Sequence, residues 1–223
     1  MSAKLSVYHS FSGTLLRTSE YFTELSFKIE SENKNKKVSE EVKANNKSYV
    51  TGAIISSVAF LESTISGLFW SAAKSPTGIA KELNENLRKR MAKIYNDFFN
   101  NYKNMSTLDK YQYLLMLNGQ NLFDRGMNPF QDVSLVIKLR NVVVHFEPEL
   151  MDAEENKQKL EKLLNGKFEQ CPFYSEPSFL FFPHRCLSHG CAKWVVISCI
   201  HFVNDFYKRI GVDKKYEEDN INI

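Results

Sequence analysis

The chain is poor in residues that interrupt regular structure, with 9 Gly and 6 Pro in 223 residues. That scarcity excludes collagen-like and low-complexity classes, and a hydrophobic share of 43% excludes intrinsic disorder. A surplus of one charge sign is also missing. A net charge of +3 and a pI near 8.5 are compatible with a nucleic-acid partner but far from a histone-like demand for one. No cysteine precedes Cys171; all 4 (Cys171, Cys186, Cys191, Cys199) fall in the last quarter. Residues 1–30 lack an unbroken apolar run followed by a small-residue cleavage site, so no secretory signal is expected. The thiols are read as reduced and the compartment as cytoplasmic.

Long apolar stretches are limited to Val50–Ala73, where the only charge is Glu62. Its length would cross a bilayer. It also carries Ser56, Ser57, Ser63, Thr64, Ser66 and Ser71, and a central acid costs roughly 2.5–3.5 kcal/mol on insertion. The expectation is a long helix buried in a helical core, with no membrane partner.

Apolar spacing is helical through most of the chain. Leu15, Leu16, Phe22, Leu25, Phe27 and Ile29 predict a first helix, followed by a solvated connection at 31–37. Ser39 before Glu40 and Glu41 predicts the start of a second helix, which Ser75-Pro76-Thr77-Gly78 ends. A third is expected from Leu83 to Tyr102, and a fourth, capped by Ser106, from Thr107 to Leu117. Asn128-Pro129 opens a fifth with Pro in its first turn, and Glu147-Pro148 closes it. A charged helix over Glu149–Leu164 ends at Asn165-Gly166, and Ser188 caps an amphipathic last helix through Trp194, Ile200, Phe206 and Ile210. Residues 167–187 break the period and predict an irregular or hairpin insertion. With no internal repeat and no domain boundary, the fold class is all-α, an antiparallel helical bundle in one domain over 1–223. Its core spans about 39–210, and 213–223 form a polar tail.

The fifth helix carries the chemistry. Asn141 and His145 are four residues apart and stack on one face, while Arg140 lies about 140° round from His145 and can swing towards it. Unpaired carbonyls and the dipole at a helix C-terminus favour an imidazolium, and one histidine can then both take and give a proton. Arg140 can hold a phosphate through two parallel hydrogen bonds, and Asn141 can orient a phosphate oxygen or an attacking hydroxyl. These parts suit metal-independent cleavage of RNA by its own 2′-OH, with no cofactor and no metal. A surface Arg and a His satisfied by a carbonyl would produce the same spacing.

Arg140-Asn141-x-x-x-His145 near the end of a late helix resembles the signature of the HEPN family (higher eukaryotes and prokaryotes nucleotide-binding). A long earlier helix with Ala59-Phe60-Leu61-Glu62 and a closing helix with Ala192-x-Trp194 resemble its phage-defence and toxin branches. The agreement of the helix pattern covers most of residues 40–210. The resemblance implies a HEPN-like helical endoribonuclease, a homodimer with two motifs facing across a shared cleft, acting as a toxin or antiviral defence effector. Arg140, Asn141 and His145 would be catalytic, and Glu62 would support them by pairing with Arg140; from the residues alone the partner of Glu62 is Arg140 or a lysine elsewhere. An antitoxin or a defence-complex protein would be a partner. Toxins paired with a nucleotidyltransferase antitoxin often carry Tyr two residues after the His; Glu147 stands there instead, against that mode of regulation. The rival reading is a non-catalytic helical module that binds RNA or protein and scaffolds a defence complex.

Three further features have alternatives. Arg88, Lys89, Arg90 and Lys93 form a solvated face or track an RNA backbone. The aromatic segment 168–182 packs over a core or partner, or stacks unpaired bases. His184, Cys186, His189 and Cys191, with Cys171, are zinc-ligand types, but their spacings lack two separated ligand pairs, and buried thiols are the simpler reading.

Overall fold

A computed structural model describes residues 10–74, 76–97, 99–146, 154–176 and 178–217, and every regular element among them is helical. The helices are α1 (Ser12–Glu32), α2 (Glu40–Lys74), α3 (Ile79–Glu82), α4 (Glu85–Asp97), α5 (Phe99–Asn104), α6 (Thr107–Leu117), α7 (Phe130–Val144), α8 (Glu154–Leu164) and α9 (His189–Arg209). They form a packed bundle around α2, which touches α1, α3, α4, α6, α7 and α9.

That central place explains the uniform apolarity of α2. Val50, Ile54, Phe60, Leu61, Ile65 and Phe69 are fully buried and cover more than one face. Among the described residues α2 alone is long and apolar enough to cross a membrane, and 61% of its apolar window is buried within the bundle. Helix α1 runs antiparallel to it. Asn46 bonds Glu30 near the connecting turn, and further along Tyr49 stacks on Phe22 with ring centroids 6.2 Å apart. Gly52 lets the two helices close on each other, because a Cβ there would lie 2.7 Å from the Phe22 ring. On the α9 side Tyr111 donates to the Leu61 carbonyl (2.9 Å) and meets Phe202 and Phe206 edge-on at 4.9 and 4.7 Å.

Three caps stand where the sequence places them. Ser39 Oγ accepts from Val42 N–H (3.3 Å), Ser106 Oγ from Asp109 N–H (3.2 Å), and Ser188 Oγ from Cys191 N–H (3.0 Å). Other boundaries differ. The expected third helix is α4 and α5, with residue 98 outside the described residues. Its start moves to Glu85, because Leu83 is extended and Asn84 Oδ1 accepts from Asn86 N–H at 2.8 Å. Pro129 precedes α7 rather than opening its first turn, and α7 ends at Val144, before Glu147-Pro148. The β-branched run Val142–Val144 weakens the last turn, and His145 leaves helical geometry at φ −108°, ψ 34°. The helix end at Glu147-Pro148, and residues 149–153 of the charged helix, lie outside the described residues, as does 218–223 of the tail.

The insertion is a folded strap, without strands among the described residues. A single 3-10 turn spans Pro172–Tyr174 and a kinked turn spans Phe181–Arg185. Arg185 ties it down, donating to the Phe179 carbonyl (2.9 Å) and pairing with Glu161 of α8 (3.0 Å). Tyr174, Phe181 and Phe182 are buried, and Phe168 packs on Trp194 at 5.5 Å. These rings therefore cover the core.

Candidate functional site

The Arg140 side chain finds its partner across the bundle. Its Nη2 donates to Glu62 Oε1 at 2.6 Å, joining α7 to the midpoint of α2. The lone acid of the apolar segment is not sealed in the core: its side chain is 46% exposed, against 25% for Arg140. An ion pair this open contributes at most about 1 kcal/mol to stability. Its consequence is positional: Glu62 holds the guanidinium at the mouth of a cleft.

That cleft has a volume of ≈ 610 Å³. Glu62 and Ser66 of α2 form one wall. Ser134, Lys138 and Asn141 present one face of α7, Arg140 joins the lining from the same helix, and Ser106, Thr107 and Lys110 bring the start of α6 against it. Lys103, in the last turn of α5, completes the rim. The described lining thus holds four cations, Lys103, Lys110, Lys138 and Arg140, and one carboxylate, already paired. Such a lining favours an anion. Lys110 sits 4.8 Å from the Tyr102 ring centroid. Burial pushes its ammonium below the ordinary lysine range, and Glu62 partly restores it. The Tyr102 hydroxyl beneath is pushed up to about 12 by burial.

Glu62, Arg140 and Asn141 therefore share one cleft. His145 does not line it. It caps the C-terminus of α7, exposed, with its backbone N–H bonded to the Asn141 carbonyl at 2.9 Å. Exposed Val144 and Phe146 flank it. The basic run of α4 lies elsewhere. Lys89 pairs with Glu85 at 2.8 Å, Arg90 donates to the Leu117 carbonyl at 3.2 Å, and Arg90 lines a smaller hollow of ≈ 260 Å³ with Asn84 and Asn118. Arg88 and Lys93 belong to the same helix, and none of the four residues lines the Arg140 cleft.

The His/Cys group is dispersed. Lys47 Nζ donates to His184 Nδ1 (2.9 Å), and His189 Nδ1–H donates to the Thr23 carbonyl (3.3 Å). The four cysteines are free and buried. Burial raises the thiols of Cys171 (to about 12), Cys191 and Cys199. Among the described residues no three His, Cys, Asp or Glu side chains converge as a metal-ligand set.

Sequence reasoning did not single out Lys103, Lys110 and Lys138. The α7 spacing Ser134, Lys138, Asn141 was the one available signal, since i, i+4 and i+7 share a helix face. Nothing local joins Lys103 or Lys110 to that face. Comparison with protein-family models, with curated proteins and with solved structures finds no match for this chain.

Proposed function

We propose that this chain is a HEPN-like, metal-independent endoribonuclease that cleaves RNA through its own 2′-OH. The observation that carries the proposal is the 2.6 Å Arg140–Glu62 pair set into a cleft with three further cations. A guanidinium held at a cleft mouth by a weak, open ion pair is poised for a phosphate, with which it forms stronger paired hydrogen bonds. Asn141, one position on, supplies an amide to orient a phosphate oxygen.

In this reading His145 removes the 2′-OH proton, and the new O2′–P bond displaces the 5′-oxygen, which leaves as a hydroxyl on taking a proton from the imidazolium. The products are a 2′,3′-cyclic phosphate and a 5′-OH end. Arg140 stabilises the charge that develops on the phosphorane. The one carboxylate of the lining is paired to Arg140, which makes the cleft a poor ligand set for a divalent ion. His145 lies one turn beyond the cleft, beside Val144 and Phe146, so a second copy covering this apolar end would enclose it. A homodimer acting as a toxin or anti-phage effector is what the same resemblance implies, and a cytoplasmic compartment is what the reduced thiols suggest.

The exposed position of His145 also favours a second reading, in which the cleft binds RNA without cutting it. One experiment separates the two. Wild type and His145→Ala are incubated with mixed structured RNAs in EDTA, and fragment ends are examined. Cyclic-phosphate ends from wild type alone support the nuclease; RNA retention without cuts supports the binding module. Equal cutting by both proteins would sink the assignment of His145.

A further inference from the structure

The cleft contains a cation that the Arg140–Asn141–His145 motif does not include, in an environment that disfavours it. Lys110 lies in the first turn of α6, where the helix dipole opposes a positive charge. Burial disfavours its ammonium further. No carboxylate among the described residues forms a salt bridge with it, although Asp109 is its neighbour in sequence. Asp109 turns away to accept from Ser106 Oγ (2.7 Å) and to pair with Arg125 (2.9 Å). What holds Lys110 is the Tyr102 ring face at 4.8 Å and the field of Glu62. Local rules broken without a structural gain are expected where a residue serves a ligand.

Glu62 connects the two sides of the cleft. Its carboxylate bonds a cation from α7, Arg140, and attracts a cation from α6, Lys110. Lys103 and Lys138 extend the positive lining on either side. No aromatic ring is among the described lining residues, so those walls offer no platform for stacking a base.

We infer that Lys110 and Arg140 are paired phosphate-binding residues, with Glu62 holding both in register, and that this cleft grips the sugar-phosphate backbone of a single RNA strand irrespective of base. This rests on the reading that the cleft handles RNA, but not on cleavage. The sequence of a bound strand would be selected outside these walls, or not at all.

The test uses short RNAs with every 2′-oxygen methylated, which cannot be cut, and follows binding by fluorescence anisotropy across a potassium chloride series. Lys110→Gln is expected to weaken binding about tenfold and to lower the salt slope by about 0.7, the value for one lost single-strand phosphate contact. Lys110→Arg should restore the slope, and Lys81→Gln, at an exposed position of α3, should behave as wild type. Runs of U, C and A of equal length should bind within about threefold of one another, as backbone recognition requires. Thermal melts identify any variant that fails to fold, and Lys110→Met, which keeps the stem over Tyr102, then replaces Lys110→Gln. Unchanged affinity and slope in the folded variant overturn the inference, as does a large preference for one base or a wild type that binds none of the RNAs. If wild type binds as described but never cuts unmodified RNA, the nuclease reading fails and this one stands.

Discussion

Two glutamates, one on each of the first two long helices, show how surroundings divide one chemistry into two tasks. Glu30, at the end of α1, is partly buried and accepts from neutral donors, Asn46 Nδ2 and the backbone N–H of His189, each at 2.8 Å. It thereby satisfies one of the orphan donors that open α9. Asn46 is fixed in turn by Ser26, whose hydroxyl donates to its Oδ1 at 2.8 Å. Burial pushes the Glu30 carboxyl above the ordinary carboxylate range. Glu62, at the middle of α2, faces solvent across a basic cleft and accepts from a charged guanidinium. The first carboxylate joins α1, α2 and α9. The second adds little to stability and positions a cation. Where a polar group is enclosed by neutral donors, its loss is a folding problem; where it is open and paired to a cation, its loss is a problem of function.

The comparison breaks most visibly at Arg140. Arg140→Ala should reduce RNA cleavage by at least about 100-fold, the usual scale for removing one charge-stabilising donor. Its stability should change by no more than about 1 kcal/mol, because the lost pair is open. Product gels and thermal melts on one preparation check both, and a melt that collapses with the activity would place Arg140 with Glu30 as structural. Glu30→Ala should show the reverse pattern. Stranding Asn46 and the His189 N–H costs about 1–3 kcal/mol, with affinity for uncleavable RNA unchanged.

A comparable loss, about 1–3 kcal/mol, is expected for Gly190→Ala, because the added Cβ would lie 2.7 Å from the Glu169 carbonyl oxygen, a backbone atom unable to move aside easily. It tests whether the α9 start depends on close backbone approach as well as on Glu30. The smallest effect is on pH. The folded state holds the Glu30 proton to a higher pH than the unfolded chain does. The stabilisation from that proton is complete below the ordinary carboxylate range and is lost as pH rises through the raised folded value. Denaturant melts should show stability declining across that window, and Glu30→Gln should flatten that contribution.

Much of the architecture was legible locally. Ser39, Ser106 and Ser188 cap helices where the pattern places them, because a cap needs only a hydroxyl and the next three residues. The end of α7 was less legible: Pro148 is a strong stop signal, but the three valines before His145 weaken the helix sooner. The aromatic segment 168–182 was ambiguous in sequence, since rings that cover a core and rings that stack bases have the same composition. The zinc-ligand residue types were ambiguous for the same reason; His184 turns to Lys47 and His189 to Thr23.

The candidate site divides along the same line. The spacing of Arg140, Asn141 and His145 on one helix end is a property of the sequence, because it depends only on residues within two turns. So are the helical class and the apolarity of α2. The choice of Arg140 over a lysine as the partner of Glu62, the separation of His145 from the cleft lining and the presence of Lys110 in the same cleft as Arg140 were decided by tertiary structure. Glu62 and Arg140 are 78 residues apart, and Lys103 and Lys110 reach the cleft from two further helices. Helical periodicity records which face of each helix is buried, but not which helix that face will meet. Only the packing of α2, α5, α6 and α7 brings these charges to one place.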